Sequence, residues 1–159
     1  VDAITLKGTT GFAKVGYKEK EFEDQSRGTF YGTDWEVGID WQPVSYSTFR
    51  ISTSADTFET NGEGDFIRGQ NYSVRWNHDW LERLSTSFSV TQQDDEYVFN
   101  EIDIDNRDDE LINYSASLSY QARRWLKFST YYQYTDRDSN RATTGYDKSV
   151  IGVTAEVTL

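Results

Sequence analysis

Apolar and polar residues alternate with a period of two along most of this chain, and this alternation constrains its fold more than any other feature. In the segment 34–41, one face carries Trp35, Val37, Ile39 and Trp41, and the other carries acidic residues and a glycine. Successive side chains of a β-strand point to opposite faces, whereas a helix repeats every 3.6 residues. The alternation therefore predicts strands rather than helices.

Eight segments carry the alternation, and they predict an all-β chain. They are 13–18, 34–41, 49–56, 71–77, 84–91, 113–120, 127–134 and 151–159. The connections alternate between short (QPVSYST, NHDWLER and QARR) and long and acidic (around 19–28, 57–69, 92–110 and 136–145). Short turns at one end and long loops at the other are typical of outer-membrane barrels. We therefore predict an antiparallel up-and-down transmembrane β-barrel with both chain ends on the short-turn side.

The composition permits this fold and excludes several others. Mean hydropathy is −0.76, and no apolar run approaches the roughly 18 residues of a transmembrane helix. A transmembrane strand exposes only every second residue to lipid, so a polar chain can still form a barrel. The net charge of −11 argues against nucleic acid as a partner. The start has no basic and apolar leader, so we expect a mature or truncated product.

Tryptophan placement favours lipid outside the barrel. Trp41, Trp76, Trp80 and Trp125 lie at or beside the short turns, where a membrane-interface girdle would sit. A soluble barrel that binds a ligand inside is the alternative, in which these indoles pack the turns onto a core.

The face opposite the apolar residues is predicted to line a polar lumen. Serines dominate its later strands, and small side chains do not fill the interior of an eight-stranded barrel. This indicates a water-filled interior or, as we favour, a wider barrel to which this chain gives eight strands. The domain is therefore 1–159 as one barrel, or the C-terminal half of a larger one. The predicted lining residues are Lys14, Lys18, Asp34, Glu36, Asp40, Arg50, Arg75, Ser87, Ser115, Ser117, Tyr131, Gln133 and Glu156.

Several short motifs resemble those of the β-barrel porins found with bacterial exopolysaccharide and capsule export systems. They are Arg107-Asp108-Asp109 before a Tyr/Ser strand, Arg124-Trp125-Leu126 at a turn, Tyr134 with DRDSN at 136–140, Tyr146-Asp147, and the hairpin segments DWEVGIDWQP and WNHDWLERLS. The resemblance implies an outer-membrane barrel that passes or assists a secreted polysaccharide. Family members are longer, with additional N-terminal strands, and outer-membrane barrels usually end in an aromatic residue rather than in Leu159.

Catalytic chemistry is not expected, although two groups of residues are of the types that some catalytic sites use. His78, the only histidine, adjoins Asp79 in a short turn, but adjacent turn residues rarely converge on one substrate and no nucleophile accompanies them. The carboxylates Asp34, Glu36 and Asp40 suit glycosidic chemistry in type. We predict instead that cross-strand cations balance them, namely Lys14, Lys18, Arg50 and Arg75. No enzyme activity and no cofactor are predicted.

The acidic connection 92–110 raises the question of a divalent ion. Asp103, Asp105 and Asp108 offer oxygen ligands at partly Ca²⁺-like spacing, but the central glycine of a calcium loop is missing. A solvated acidic surface loop is the favoured interpretation, and an ion shared with lipopolysaccharide phosphates is the alternative.

Three functions remain open from the residues. The first is a passive outer-membrane pore, serving polysaccharide or sugar passage, with Tyr131 and Gln133 as the sugar-contacting patch. The second is a structural or anchoring eight-strand barrel, and the third is the soluble ligand-binding barrel. Expected partners are outer-membrane lipid, lipopolysaccharide, polysaccharide and periplasmic export components.

Overall fold

A computed structural model describes residues 8–20, 30–59, 66–99 and 106–158 of the chain. These residues form eight strands, as predicted from the alternation. The strands are β1 (Thr9–Lys20), β2 (Phe30–Val44), β3 (Ser47–Glu59), β4 (Phe66–Leu81), β5 (Leu84–Val98), β6 (Arg107–Arg123), β7 (Leu126–Ser139) and β8 (Tyr146–Val157). Within these ranges no helix is long and apolar enough to cross a membrane.

All eight strands belong to one antiparallel sheet in which each strand pairs with its neighbours along the chain. The register places every apolar stripe on the same side: Ile39 lies opposite Ile51, and Ile51 lies opposite Val74. We call this side the apolar face. The other side, the polar face, consists of the even-numbered residues of β1, β2, β3 and β8 and the odd-numbered residues of β4 to β7. The up-and-down topology and the two-faced pattern are confirmed.

The short connections are tighter than the sequence indicated. Only two residues separate β2 from β3, β4 from β5 and β6 from β7. No non-glycine residue in the described ranges has a positive φ, so these turns are not of the type I′ kind that matches the twist of a hairpin. A register shift beside each turn, for example between Asp79 and Leu81, compensates. Such bulges add local twist, which lets the paired strands continue into the turn.

The predicted long connections are in large part strand, which corrects the sequence-based boundaries. The segment predicted as a loop over 92–110 contributes the end of β5 and the beginning of β6, and β7 continues to Ser139. Charged residues on both faces hid this, because the backbone ladder persists where the alternation stops. At about 3.3 Å per residue, β6 is about 55 Å long, which exceeds the ~30 Å hydrocarbon thickness of a bilayer.

The described sheet is open and encloses no apolar core. No pairing joins β1 to β8 in the described residues, and Ile67 is the one buried apolar residue among them. Large apolar side chains are exposed instead, most of all on the edge strands, where Val15 is 81% and Ile151 77% exposed. A single layer with an uncovered apolar face requires another apolar phase or another layer for its stability.

Candidate pore-lining face

The polar face holds all of the residues predicted to line a pore. The register aligns several of them in rows that cross the sheet, as in Asp40 opposite Arg50, and Arg50 opposite Arg75. That row continues through Ser89 and Ser115 to Gln133. The sequence thus predicted correctly which residues share a face. That this face lines a lumen stays a prediction.

On β2, β5 and β6, side chains on the polar face are less exposed than those on the apolar face. Along β6, the polar-face residues from Arg107 to Gln121 are buried or half-buried, whereas Tyr114, Leu118 and Tyr120 on the apolar face are exposed. A curved sheet crowds side chains on its concave side, so this difference indicates that the polar face is the concave one. Water-soluble sheets show the opposite arrangement, with apolar residues inside and polar residues outside.

Ion pairs cross strands β1 to β3 on the polar face. Lys14 Nζ lies 2.9 Å from Glu36 Oε2, and Lys18 Nζ lies 2.5 Å from Asp34 and 2.6 Å from Asp56. These pairs are partly exposed, so each contributes little to stability. They nevertheless engage two of the carboxylates considered for glycosidic chemistry.

The third of those carboxylates, Asp40, is held by Arg50 through two hydrogen bonds of 2.5 and 2.8 Å. Arg75 lies on the far side of Arg50, opposite it in register, and has no acidic partner among the described residues. The predicted balance of charge is therefore correct for three of the cations and wrong for Arg75, because one intervening arginine already occupies the carboxylate.

Hydroxyl groups form the middle of the polar face on β5 to β7. Ser89 and Ser115 are hydrogen-bonded at 2.6 Å, and Ser119 and Ser129 at 2.9 Å. Ser87 lies directly opposite Ser117. Near the turns, the Lys127 ammonium lies 3.9 Å from Glu156. The predicted lining residues of this half are thus neutral or paired.

Aromatic rings cover glycines on the polar face. A Cβ atom at Gly152 would overlap the ring of Tyr131, and one at Gly38 would lie 2.6 Å from two ring carbons of Phe12. Each glycine is the direct cross-strand partner of its aromatic residue, and its missing side chain makes room for the ring. Gln133, the other member of the predicted sugar patch, donates a hydrogen bond of 2.9 Å to Asn113 Oδ1.

We expect Gly152→Ala to lower the free energy of unfolding by about 0.5–1 kcal/mol, because the new methyl group displaces the Tyr131 ring from its cross-strand position. Denaturant titration of the folded protein in detergent measures this. The same substitution in a Tyr131→Ala background should cost nearly nothing, since no ring remains to be displaced. Equal costs in both backgrounds would contradict the packing seen here.

The predicted tryptophan girdle lies at the turn end of the apolar face. Trp41, Phe49, Trp76 and Phe88 form a row of stacked rings across β2 to β5, with centroid separations of 5.2, 5.9 and 5.6 Å. Trp80, beside the turn between β4 and β5, is 55% exposed. Trp125, within the turn between β6 and β7, is 53% exposed.

His78 packs within the same aromatic group. Its ring centroid is 4.3 Å from that of Trp80 and 5.3 Å from that of Trp76. Asp79, its neighbour in the chain, falls on the polar face because adjacent strand residues point to opposite sides. The structure therefore separates the His-Asp pair that had been weighed as catalytic.

A buried charge cluster at the loop end of the polar face was missed by sequence reasoning. Asp109 accepts hydrogen bonds of 3.0 and 2.7 Å from Arg107, and Arg137 also pairs with it. The Arg107 guanidinium lies 4.5 Å from the ring centroid of Tyr97. Arg107 and Asp109 are two positions apart on β6, so their alternation was the signal that both face one side.

The cluster controls the ionisation of its carboxylate. Burial opposes the charge on Asp109, but hydrogen bonds from Arg107, Ser139 and Arg137 outweigh it and lower the pKa of Asp109 to about 2. Burial raises the pKa of Asp95, which lies directly opposite Asp109. Asp109 therefore stays charged, and it links β6 to β7 at the loop end of the polar face.

The acidic residues considered as metal ligands are Asp103, Asp105 and Asp108. Asp103 and Asp105 lie outside the described residues, and Asp108 belongs to strand β6 rather than to a loop. The described ranges contain no group of three or more histidine or acidic side chains arranged to hold a metal ion. A solvated acidic surface loop at 103–108 stays the prediction, with a shared ion as its alternative.

Comparison with known proteins identifies the family of the chain. Neither the curated proteins nor the solved structures gave a match. The model of the family described as "Putative beta-barrel porin 2" matches residues 5–159, so the chain belongs to this β-barrel porin family, which indicates an outer-membrane pore in general.

Proposed function

We propose that the chain forms the wall of a pore in the bacterial outer membrane, with the polar face towards the lumen and the apolar face towards lipid. The single observation that carries this proposal is the inverted exposure of the two faces on β2, β5 and β6: there the polar side chains are crowded and the large apolar ones are exposed. Lipid is the environment in which such an arrangement is stable, because it solvates the apolar face without desolvating a charged one.

The distribution of side chains along the strands supports a bilayer of ordinary thickness. On the apolar face, β5 and β6 carry Phe88, Val90, Leu118 and Tyr120, and acidic residues such as Glu110 begin beyond them towards the loops. A transmembrane strand needs roughly 9–11 residues, which is the length of this apolar stretch. The loop ends of the long strands would then project beyond the lipid.

The open edges require a closed barrel in the membrane. An unpaired strand edge in hydrocarbon leaves backbone N–H and C=O groups without partners, at a cost of several kcal/mol each. β1 and β8 therefore either pair with each other or with further strands. The hydroxyl-rich middle of the polar face favours a wider, water-filled barrel over a filled eight-stranded one.

Sugars are the solutes that the polar face suits, and polysaccharide passage is the form of this function that we propose. Tyr131 is 41% exposed on the polar face, and its ring covers Gly152, so that part of its aromatic surface is accessible to a solute. Aromatic faces stack on sugar rings, and serine hydroxyls exchange hydrogen bonds with sugar hydroxyls. The proposed export components are periplasmic partners at the turn end.

Reconstitution tests the proposal. We expect the purified full chain to need detergent for solubility, to give stepwise conductance in planar bilayers, and to admit neutral oligosaccharides in liposome-swelling assays. Folding in buffer without detergent would favour a soluble ligand-binding barrel, and insertion without conductance would favour an anchoring barrel.

The double variant Tyr131→Ala, Gln133→Ala tests the sugar patch. If stacking on Tyr131 contributes about 0.5–1.5 kcal/mol, oligosaccharide entry should slow by about two- to twelvefold while ion conductance is retained. Tyr132→Ala, which removes a ring from the apolar face of the same strand, is the matched control and should leave entry unchanged. Unchanged sugar passage in the double variant would count against a role of this patch.

A further inference from the structure

Arg75 differs from the other cations of the polar face in its surroundings. Lys14, Lys18, Arg50, Arg107, Lys127 and Arg137 each have a carboxylate within 4 Å. Arg75 is exposed near the middle of strand β4 and has no hydrogen bond or ion pair with the described residues. Lys148 and Arg123 are similarly without a carboxylate partner among the described residues, but Lys148 lies on the edge strand β8 and Arg123 is the last residue of β6, beside a turn.

The neighbours of Arg75 offer donors rather than negative charge. Arg50 lies opposite it on β3 and Ser89 opposite it on β5. Ser73 and Asn77 flank it on the same face of β4. The carboxylate in its row, Asp40, is bound through both oxygens to Arg50. This row therefore contains two guanidinium groups and one carboxylate, and the unbalanced positive charge is located at Arg75.

We propose that Arg75 forms an oxyanion-binding site on the polar face, selective for solutes that carry a carboxylate or phosphate group. A guanidinium presents a planar fork of donors that matches these groups through two hydrogen bonds. The adjacent serine and asparagine side chains supply further donors. As a step along the pore this rests on the proposed function, whereas the binding site itself does not.

Asp40 sets the strength of this site. It neutralises Arg50, so its removal releases a second guanidinium beside Arg75. Asp40→Asn should therefore strengthen oxyanion binding, and Arg75→Gln should abolish it. The two variants should have opposite effects, because the first removes a negative charge beside the site and the second removes its positive charge.

Ion selectivity in planar bilayers tests the site within the pore. We expect Arg75→Gln to lower the anion-to-cation permeability ratio by about fivefold, and Asp40→Asn to raise it, because a unit charge at contact distance in water changes local ion occupancy by about that factor. Arg124→Gln removes the same charge at a turn and is the matched control.

Inorganic phosphate and glucuronate, added separately, should both reduce chloride conductance of the native pore, and the stronger blocker identifies the preferred group. A permeability ratio that is equal in all four proteins would overturn the site.

Chemical modification tests the site without conductance. In the folded protein, phenylglyoxal should modify Arg75 faster than Arg50, which Asp40 protects, and mass spectrometry of peptides measures both rates. Phosphate or glucuronate should slow the reaction at Arg75 selectively. Absence of conductance with protection at Arg75 would contradict the pore and uphold the site, whereas absence of protection would overturn the site regardless of conductance.

Discussion

Ile51→Lys is expected to destabilise the protein in lipid by about 2–4 kcal/mol, because it places a charge near the middle of the surface that we assign to hydrocarbon. Ile51 is 52% exposed, and its cross-strand partners are Ile39 and Val74. No cation or carboxylate on this part of the apolar face could compensate the new charge. Denaturant titration of the protein folded into lipid vesicles measures the loss, and reduced folding yield accompanies it.

Ser52→Lys is the matched control for this prediction. Ser52 is the next residue of β3 and therefore lies on the polar face, opposite Gly38 and Ser73. A lysine there would face the proposed aqueous lumen, so we expect less than 1 kcal/mol of destabilisation. Equal losses of stability from the two lysines would contradict the assignment of the faces. An Ile51→Lys variant as stable as the native protein would show that the apolar face does not contact lipid.

The strands and their faces were predictable because a period of two is a local property. Trp35, Val37 and Ile39 show which residues share a face without any knowledge of what lies beside them. The same reasoning placed Trp41, Trp76 and Trp80 at one end of the sheet. Antiparallel neighbours followed from the short turns, which leave no room for a crossover connection.

Strand lengths and pairings beyond these local patterns were not predictable. The ends of β5 and β6 carry charge on both faces, so the alternation that marks a strand disappears although backbone pairing continues. Which carboxylate pairs with which cation depends on the strand register. A shift of one residue between β2 and β3 would separate Asp40 from Arg50. The cluster around Asp109 joins β6 to β7 and required that register to be known.

The loop end of the sheet offers a second large effect, because the Asp109 side chain, itself almost fully covered, pairs with two arginines. The Asp109 side chain is 3% exposed, and those of Arg107 and Arg137 are 10% and 26% exposed. Asp109→Asn removes the charge but keeps the shape, so neither guanidinium group keeps its ion pair with residue 109. Breaking a buried pair in this way costs about 3–5 kcal/mol. Denaturant titration at neutral pH measures the loss.

Glu36→Gln is the matched control for Asp109→Asn, since it also replaces a paired carboxylate by its amide. The Lys14 and Glu36 side chains are 69% and 40% exposed, so we expect a loss below about 1 kcal/mol. Losses of equal size would show that the Asp109 cluster is not desolvated.

Acid supplies an independent measure of the same cluster. The pKa of Asp109 is about 2 in the folded protein and about 4 in an unfolded chain. A lowered folded pKa means that the carboxylate contributes its full stabilisation above pH about 4 and loses it as the pH falls towards 2. The stability difference between the native protein and Asp109→Asn should therefore be constant from neutral pH down to about 4 and then shrink. A difference that stays constant down to pH 2 would contradict the charge-based origin of the effect, because the arginines cannot lose their protons in that range.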